Sequence, residues 1–336
     1  MHLAALVESD DHVCCRYRLR AFQPLLHAAG QKLSLHCLPR GLWHRLGIGR
    51  AVRESDAVVL QRKLLSSVEI RLLCRRVRRL LFDFDDAVWL RDSFSAKGFD
   101  SPKRLKRFRA TVAHCDAIVA GNSFLAEHAE RVGGRNVVII PTCIDTSRYA
   151  LAAHGTSHTQ AQLVWIGSSS TLQGLETIAP MLETIGAALP EVTLKIICDR
   201  FPRFRNLRTV DHPWSEPTET SELAAADIGV SWIPDDPWSR GKCGLKVLQY
   251  MAAGLPVVAN PVGVQVEMVR DGETGFLAST SAEWIDAIRT LATDPDRRRS
   301  MGRAARQLVE EKYSIQAGAA QWLNLLRGLE RQSTSA

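Results

Sequence analysis

The chain has 336 residues, 46% apolar, 24% charged and 7% aromatic, with a formal net charge of +7. That length exceeds what one hydrophobic core organises, so two domains of about 150 to 180 residues are expected, and the composition excludes a disordered or fibrous chain. The longest apolar runs, at 137–140 and 254–264, fall short of the roughly 20 residues of a membrane span, and MHLAALVESDD lacks the basic lead and long apolar core of a secretory signal, so a cytoplasmic protein is expected.

Taken in order, apolar runs at 3–7, 32–37, 57–61, 80–84, 117–120 and 137–140 read as strands. Helical periodicity falls between them, at 16–29 and 65–78, and a helix begins near Asn122 and Ser123, where capping explains both residues. Such alternation predicts a parallel sheet covered by helices. Residues 151–162, small, polar and aperiodic, read as a linker. The alternation then resumes: strands at 163–167, 192–198, 227–233, 256–260 and 275–278, with helices at 172–188, 244–253 and 264–269, and helix from 281 onward. The fold class is therefore α/β, with one doubly wound Rossmann-like domain over residues 1–150 and a second over 160–336.

Eight cysteines are scattered without a CxxC pair and read as reduced, mostly buried thiols. Charge is uneven: residues 1–155 hold 25 Lys+Arg against 15 Asp+Glu, a net +10, and the remainder 18 against 21, a net −3. Within the basic half, Arg71, Arg75 and Arg78 recur at helical spacing beside Leu73, Val77 and Leu80, and Lys103, Lys106 and Arg107 lie opposite Leu105, Phe108 and Val112. Either face alone is an ordinary solvated surface; together they suit an anionic membrane.

In open parallel sheets ligands bind beyond the carboxyl ends of the strands. The helix beginning near Gly244 has Arg240, Lys242 and Lys246 around its first turn, where the macrodipole is already positive, and each misplaced cation costs about 0.3 to 1 kcal/mol. A bound anion relieves this, and Gly241 and Gly244 leave backbone N–H groups approachable by phosphate oxygens. A diphosphate fits; solvated lysines are the plainer alternative.

The same stretch, GKCGLKVLQYMAAGLPVVANPVG at 241–263, resembles the signature of retaining family-four glycosyltransferases, and more closely a subgroup with the pattern GKCGLKxLQYMAAGLPVVxxPVG. The resemblance implies the GT-B architecture: two Rossmann-like domains facing a cleft, the C-terminal helices packing back toward the first domain. It implies a nucleotide-sugar donor in the second domain, with Lys246 as the cation for the leaving diphosphate and Lys242, Cys243, Gly244 and Leu245 lining the donor. The wider family places two glutamates eight residues apart, touching the donor sugar and the ribose; here the positions hold Gly241 and Gln249. Gln249 still hydrogen-bonds hydroxyls, so Gln249→Glu is expected to keep activity. Gly263 and Glu267 resemble the family's glycine loop and following glutamate, although a first-turn acid complementing a helix dipole explains Glu267 equally. Gly167, Ser168 and Ser169 resemble its donor loop, with Ser170 and Gln173 in place of the usual Arg and Lys.

In the first half the subgroup's Arg-x-Arg falls on Arg16 and Arg18, and Arg62 follows a strand, as candidates for acceptor binding. His12 reads as a loop histidine. Asp83, Asp85 and Asp86 end another strand: acceptor-hydroxyl binding by Asp85 or Asp86, helix capping and a metal site stay open, with Asp85 and Asp86 as catalytic candidates. The GT-B type needs no divalent ion, so no cofactor or metal is expected. The implied activity is retaining transfer of a hexosyl unit to a hydroxyl of a glycan or lipid-linked acceptor, in cell-envelope polysaccharide synthesis, on the inner face of the membrane. A nucleotide-sugar epimerase and a non-catalytic nucleotide- or glycan-binding protein are the alternatives; no recognition motif supports a nucleic acid.

Overall fold

The computed structural model describes residues 1–38, 52–154 and 161–334. Its contacts divide the chain into two units. The first comprises Met1–Cys143, Asp236–Cys243 and Ile315–Ala336; the second Ile144–Asp235 and Gly244–Ser314.

The first unit holds six parallel strands, β1 (His2–Val7), β2 (Lys32–Cys37), β3 (Ala57–Gln61), β4 (Leu80–Phe84), β5 (Ala117–Ala120) and β6 (Val137–Ile139), in the order β2-β1-β3-β4-β5-β6. Strands buried on both faces read as unbroken apolar runs, which is why the sequence shows them so clearly. Side chains alternate between two cores, as a period of two requires. Leu6, Leu60, Phe82, Phe84 and Ile118 face one side with Trp89 and Phe108. Leu3, Val7, Val59, Leu81 and Val119 face the other, covered by Trp322, Leu325, Leu326 and Leu329 of the helix Ile315–Thr334. Of the C-terminal helices, this last one makes the return expected from sequence.

The second unit repeats the plan with β7 (Gln162–Ile166), β8 (Thr193–Cys198), β9 (Arg208–Pro213), β10 (Ile228–Ser231), β11 (Val257–Ala259) and β12 (Gly275–Leu277), in the order β12-β11-β10-β7-β8-β9, with every pair parallel. Strand order reverses between β1 and β3 in the first sheet and between β7 and β10 in the second. In such sheets ligands bind beyond the carboxyl ends of the strands where the order reverses.

Several elements differ from expectation for local reasons. The helix expected over 16–29 starts earlier, at Val13, capped by the His12 ring accepting from Cys14 N–H, and is interrupted by a 3-10 turn at Arg20–Phe22. The one expected over 65–78 spans only Ser67–Cys74, headed by a Ser66–Glu69 capping box. Residues 172–188 form two helices, Ser169–Thr177 and Ala179–Ala188, because Pro180 cannot continue the first and opens the second. β9 went unread because its pattern, RTVDHP, is that of a largely exposed edge strand. Of the linker at 151–162, residues 155–160 lie outside the described residues.

Candidate active site

The candidate residues fall into one constellation in each unit. In the first, Arg18 is buried, and its Nε and Nη2 both donate to Asp83, with Nη2 at 2.6 Å from Oδ1, while Gln61 donates to the other oxygen at 3.2 Å. Burial opposes the Arg18 charge, yet Asp83 outweighs it and raises the guanidinium further. Arg18 is thus committed to a buried ion pair, whose partner charge would be left uncompensated by its removal. Arg16 lies nearer the surface, its guanidinium over the Tyr17 ring at 5.6 Å.

Arg62 adopts φ 57° directly after β3, and from there Nη1 meets Asp85 Oδ1 at 3.0 Å and Nη2 meets Asp86 Oδ2 at 2.7 Å. One guanidinium therefore bridges two adjacent carboxylates. Burial alone would raise the Asp85 carboxyl, but Arg62 and then Arg18 hold it below the ordinary carboxylate range. For Asp86 burial prevails and pushes the carboxyl up, with Arg62 only partly offsetting it. Two neighbouring acids are thus pushed apart, the usual basis of an assignment of acid and base roles.

The segment Asp236–Cys243 joins this first constellation. Asn122 caps the helix Ser123–Arg131 through Oδ1, while its Nδ2 donates to the carbonyls of Lys242 at 3.0 Å and Arg240 at 3.4 Å. Cys243 Sγ donates to Asp85 O at 3.2 Å. Asn122 thus does more than the capping expected of it. Gly241 is packed so that a Cβ there would meet Ala87 N at 2.7 Å. No glutamate fits at Gly241, which accounts for the missing first acid of the pattern.

In the second unit, Gly167 directly follows β7, with Trp165 and Thr171 so close that a Cβ would lie 2.4 and 2.6 Å from them. Ser168 N–H donates to Thr171 Oγ1 at 3.2 Å, and Ser169 N–H donates to Asp199 at 2.6 Å. The helix Leu245–Ala252 is headed by Gly244 at φ 65°, a left-handed position where a Cβ would also strike Met268. Tyr250 pins this helix to the sheet by accepting from Ile166 N–H at 3.0 Å. At the second residue of the helix, Lys246 Nζ sits 4.0 Å from the centre of the Trp165 ring and donates to Thr171 Oγ1 at 3.4 Å. The ammonium is thereby held beside the Gly167–Ser169 loop by a cation–π contact of about 0.5 to 2 kcal/mol.

Gln249 is placed differently from expectation. It is 4% exposed, and its Nε2 donates at 2.7 Å to Glu219 Oε1. Glu219 also accepts from Tyr149 at 3.3 Å and from Trp214 Nε1 at 2.7 Å. Neither Glu219 nor Trp214 is marked in the sequence, because the strand that Trp214 follows, β9, has no apolar pattern. Gly263 has φ 57°, and Glu267 is exposed on the short helix Gln265–Met268. Asn260 and Gln265 lock the preceding loop through Ile233 and one another.

The fold, two parallel six-stranded sheets covered by helices, is the one found in solved glycosyltransferases of GT-B architecture. Residues 176–324 match the family model described as "Glycosyl transferase-like". Among particular proteins, the chain is similar to the α-maltose-1-phosphate synthase of Mycolicibacterium smegmatis, 36% identical over 259 residues, 65% of each chain. Sucrose-phosphate synthase from Thermosynechococcus elongatus shares the fold, with a TM-score of 0.77 at 16% identity over 99% of this chain and 100% of that one. HepE of Anabaena, solved with UDP-glucose, gives 0.68 at 16% identity, over 98% and 100%. The chain spans between 20% and 65% of the length of the curated relatives it matches.

Proposed function

We propose that this chain transfers a hexosyl unit from a nucleotide-sugar to a hydroxyl of a glycan or lipid-linked acceptor, with retention at the anomeric carbon. The observation that carries the reading is Lys246, fixed on Trp165 beside the Gly167–Ser169 loop where the second sheet reverses its strand order. A cation held at a helix N-terminus suits a leaving diphosphate. HepE's complex with UDP-glucose makes a uridine donor the first to try. Among the described residues, no side chain stands out as a nucleophile. In the step that follows, the acceptor oxygen bonds to the anomeric carbon as the bond to the phosphate oxygen breaks, and the acceptor proton passes to the departing diphosphate. Asp86, with its raised carboxyl beside Arg62, is the group for the acceptor hydroxyl in the first unit.

Purified protein given a panel of nucleotide-sugars and glycan or lipid-linked acceptors, in excess EDTA, is expected to form a glycoside with one donor. Loss in EDTA with recovery in manganese would overturn the metal-free chemistry. An isomerised donor without acceptor would mark an epimerase, and binding without turnover a non-catalytic protein.

Among the described residues, no helix is long and apolar enough to cross a membrane. A peripheral contact is supported instead by the packing of Ser67–Cys74 against Pro102–His114. Their exposed Arg71, Lys103, Lys106 and Arg109, with Arg75 and Arg76 just beyond the first helix, lie on neighbouring elements, and Val68 among them is 60% exposed. Each basic residue near an anionic surface adds about 1 kcal/mol. Sedimentation with anionic but not neutral vesicles is expected, weakening between about 0.05 and 0.5 M salt. Equal behaviour toward both vesicle types would leave a soluble acceptor as the better reading.

A further inference from the structure

Large aromatic side chains are seldom held rigid where water reaches them, because burial is what usually orders them. Trp214 is an exception. It is 42% exposed at the carboxyl end of β9, the end of the sheet where ligands gather, yet its indole Nε1 donates at 2.7 Å to Glu219 Oε2. Glu219 is 6% exposed, and its other oxygen receives Gln249 and Tyr149. One carboxylate thus fixes an exposed indole and the amide of Gln249 together, separated by two hydrogen bonds and the width of the carboxylate.

The backbone supports the same picture. Trp214 N–H donates to Cys198 O at 3.1 Å, and the next residue after Cys198 is Asp199, which holds Ser169 of the loop beside Lys246. Trp214, Gln249 and Lys246 therefore belong to one hydrogen-bonded frame at the strand ends, which carries an exposed aromatic ring, a buried amide and a cation. A nucleoside diphosphate has a base and a charged group to match the ring and the cation.

We propose that Trp214 is the platform on which the base of the donor nucleotide stacks, with Glu219 the positioning residue that keeps it in register with Gln249. The proposal rests on the nucleotide-sugar reading and adds the contact that recognises the base. Stacking on an aromatic face is worth about 1 to 3 kcal/mol by alanine substitution and tolerates any base, so the platform strengthens nucleotide binding without choosing among bases.

The test is calorimetric titration of the full chain with UDP, GDP, ADP, CDP and dTDP, and with inorganic pyrophosphate, which has the diphosphate but no base. Trp214→Ala is expected to weaken the best nucleoside diphosphate by about five- to a hundredfold and leave pyrophosphate unchanged, while Trp214→Phe stays within about threefold of the parent. Glu219→Ala should show the same split between nucleotide and pyrophosphate, which a general loss of structure would not produce. A parent protein that binds nucleotide, with Trp214→Ala binding it equally or losing nucleotide and pyrophosphate alike, overturns this proposal alone. A parent protein that binds none of the five nucleotides overturns the donor reading and this proposal with it.

Discussion

Lys246→Ala is expected to lower kcat by about a hundredfold or more, while costing the fold no more than about 2 kcal/mol. The first magnitude is that of one charge contact to a leaving group at the transition state, with each tenfold in rate equal to 1.36 kcal/mol of barrier. The second is the strength of the cation–π contact on Trp165, beside which the side chain donates a long bond to Thr171. Activity and stability should therefore separate cleanly. Steady-state kinetics beside a thermal melt checks both, and normal turnover in a folded variant would remove Lys246 from the mechanism.

Gln249→Glu is expected to do harm, although the family pattern, which has a glutamate there, points to a tolerated change. Gln249 donates from a buried amide to Glu219 at 2.7 Å, and a glutamate would set a second carboxylate against the first with no donor between them. A buried charge without a partner costs about 3 to 5 kcal/mol. At roughly 2 to 4 °C per kcal/mol, the melting temperature should fall by about 10 °C near neutral pH. One of the two acids would have its folded-state pKa raised, so the penalty is present at high pH and eases as pH falls and that group takes up a proton. Glu219→Gln in the same chain should restore stability, since an amide at 219 can donate to the new carboxylate while its oxygen still accepts from Trp214. If the single variant melts with the parent, the Gln249–Glu219 bond has no energetic role.

Much of the fold could be read in advance because strands buried on both faces advertise themselves as short apolar runs; with the less buried edge strands β2 and β6, whose apolar residues still show, eleven of the twelve described strands are legible. The exception, β9, is an edge strand whose polar residues carry no such mark. Site residues were legible where backbone geometry demands them: Gly167 and Gly244 are glycines because no side chain fits. Partnerships were not legible. Arg18 and Arg62 stand a turn apart in kind, one sealed against Asp83 and one bridging Asp85 and Asp86, and nothing in either local sequence tells them apart. Glu219 escaped notice because it lies in a polar stretch, SEPTETSEL, thirty positions before the amide it holds. Segment membership also escaped: Lys242 and Lys246 share one motif but belong to different units.

The division of the chain also sets an order of events during synthesis. Ile315–Thr334 supplies Trp322, Leu325, Leu326 and Leu329 to the face of the sheet built from β1, β3, β4 and β5. A ribosome finishes Cys143 long before it reaches Ile315, and at 5 to 20 residues per second the delay is on the order of ten to thirty seconds. Throughout it, Leu3, Val59 and Leu81 lack the helix that will cover them, while the whole second unit emerges and is free to fold. The half of the molecule made first is thus completed last, and a nascent chain stalled anywhere between the two would present an apolar sheet face to whatever holds unfinished proteins in the cell.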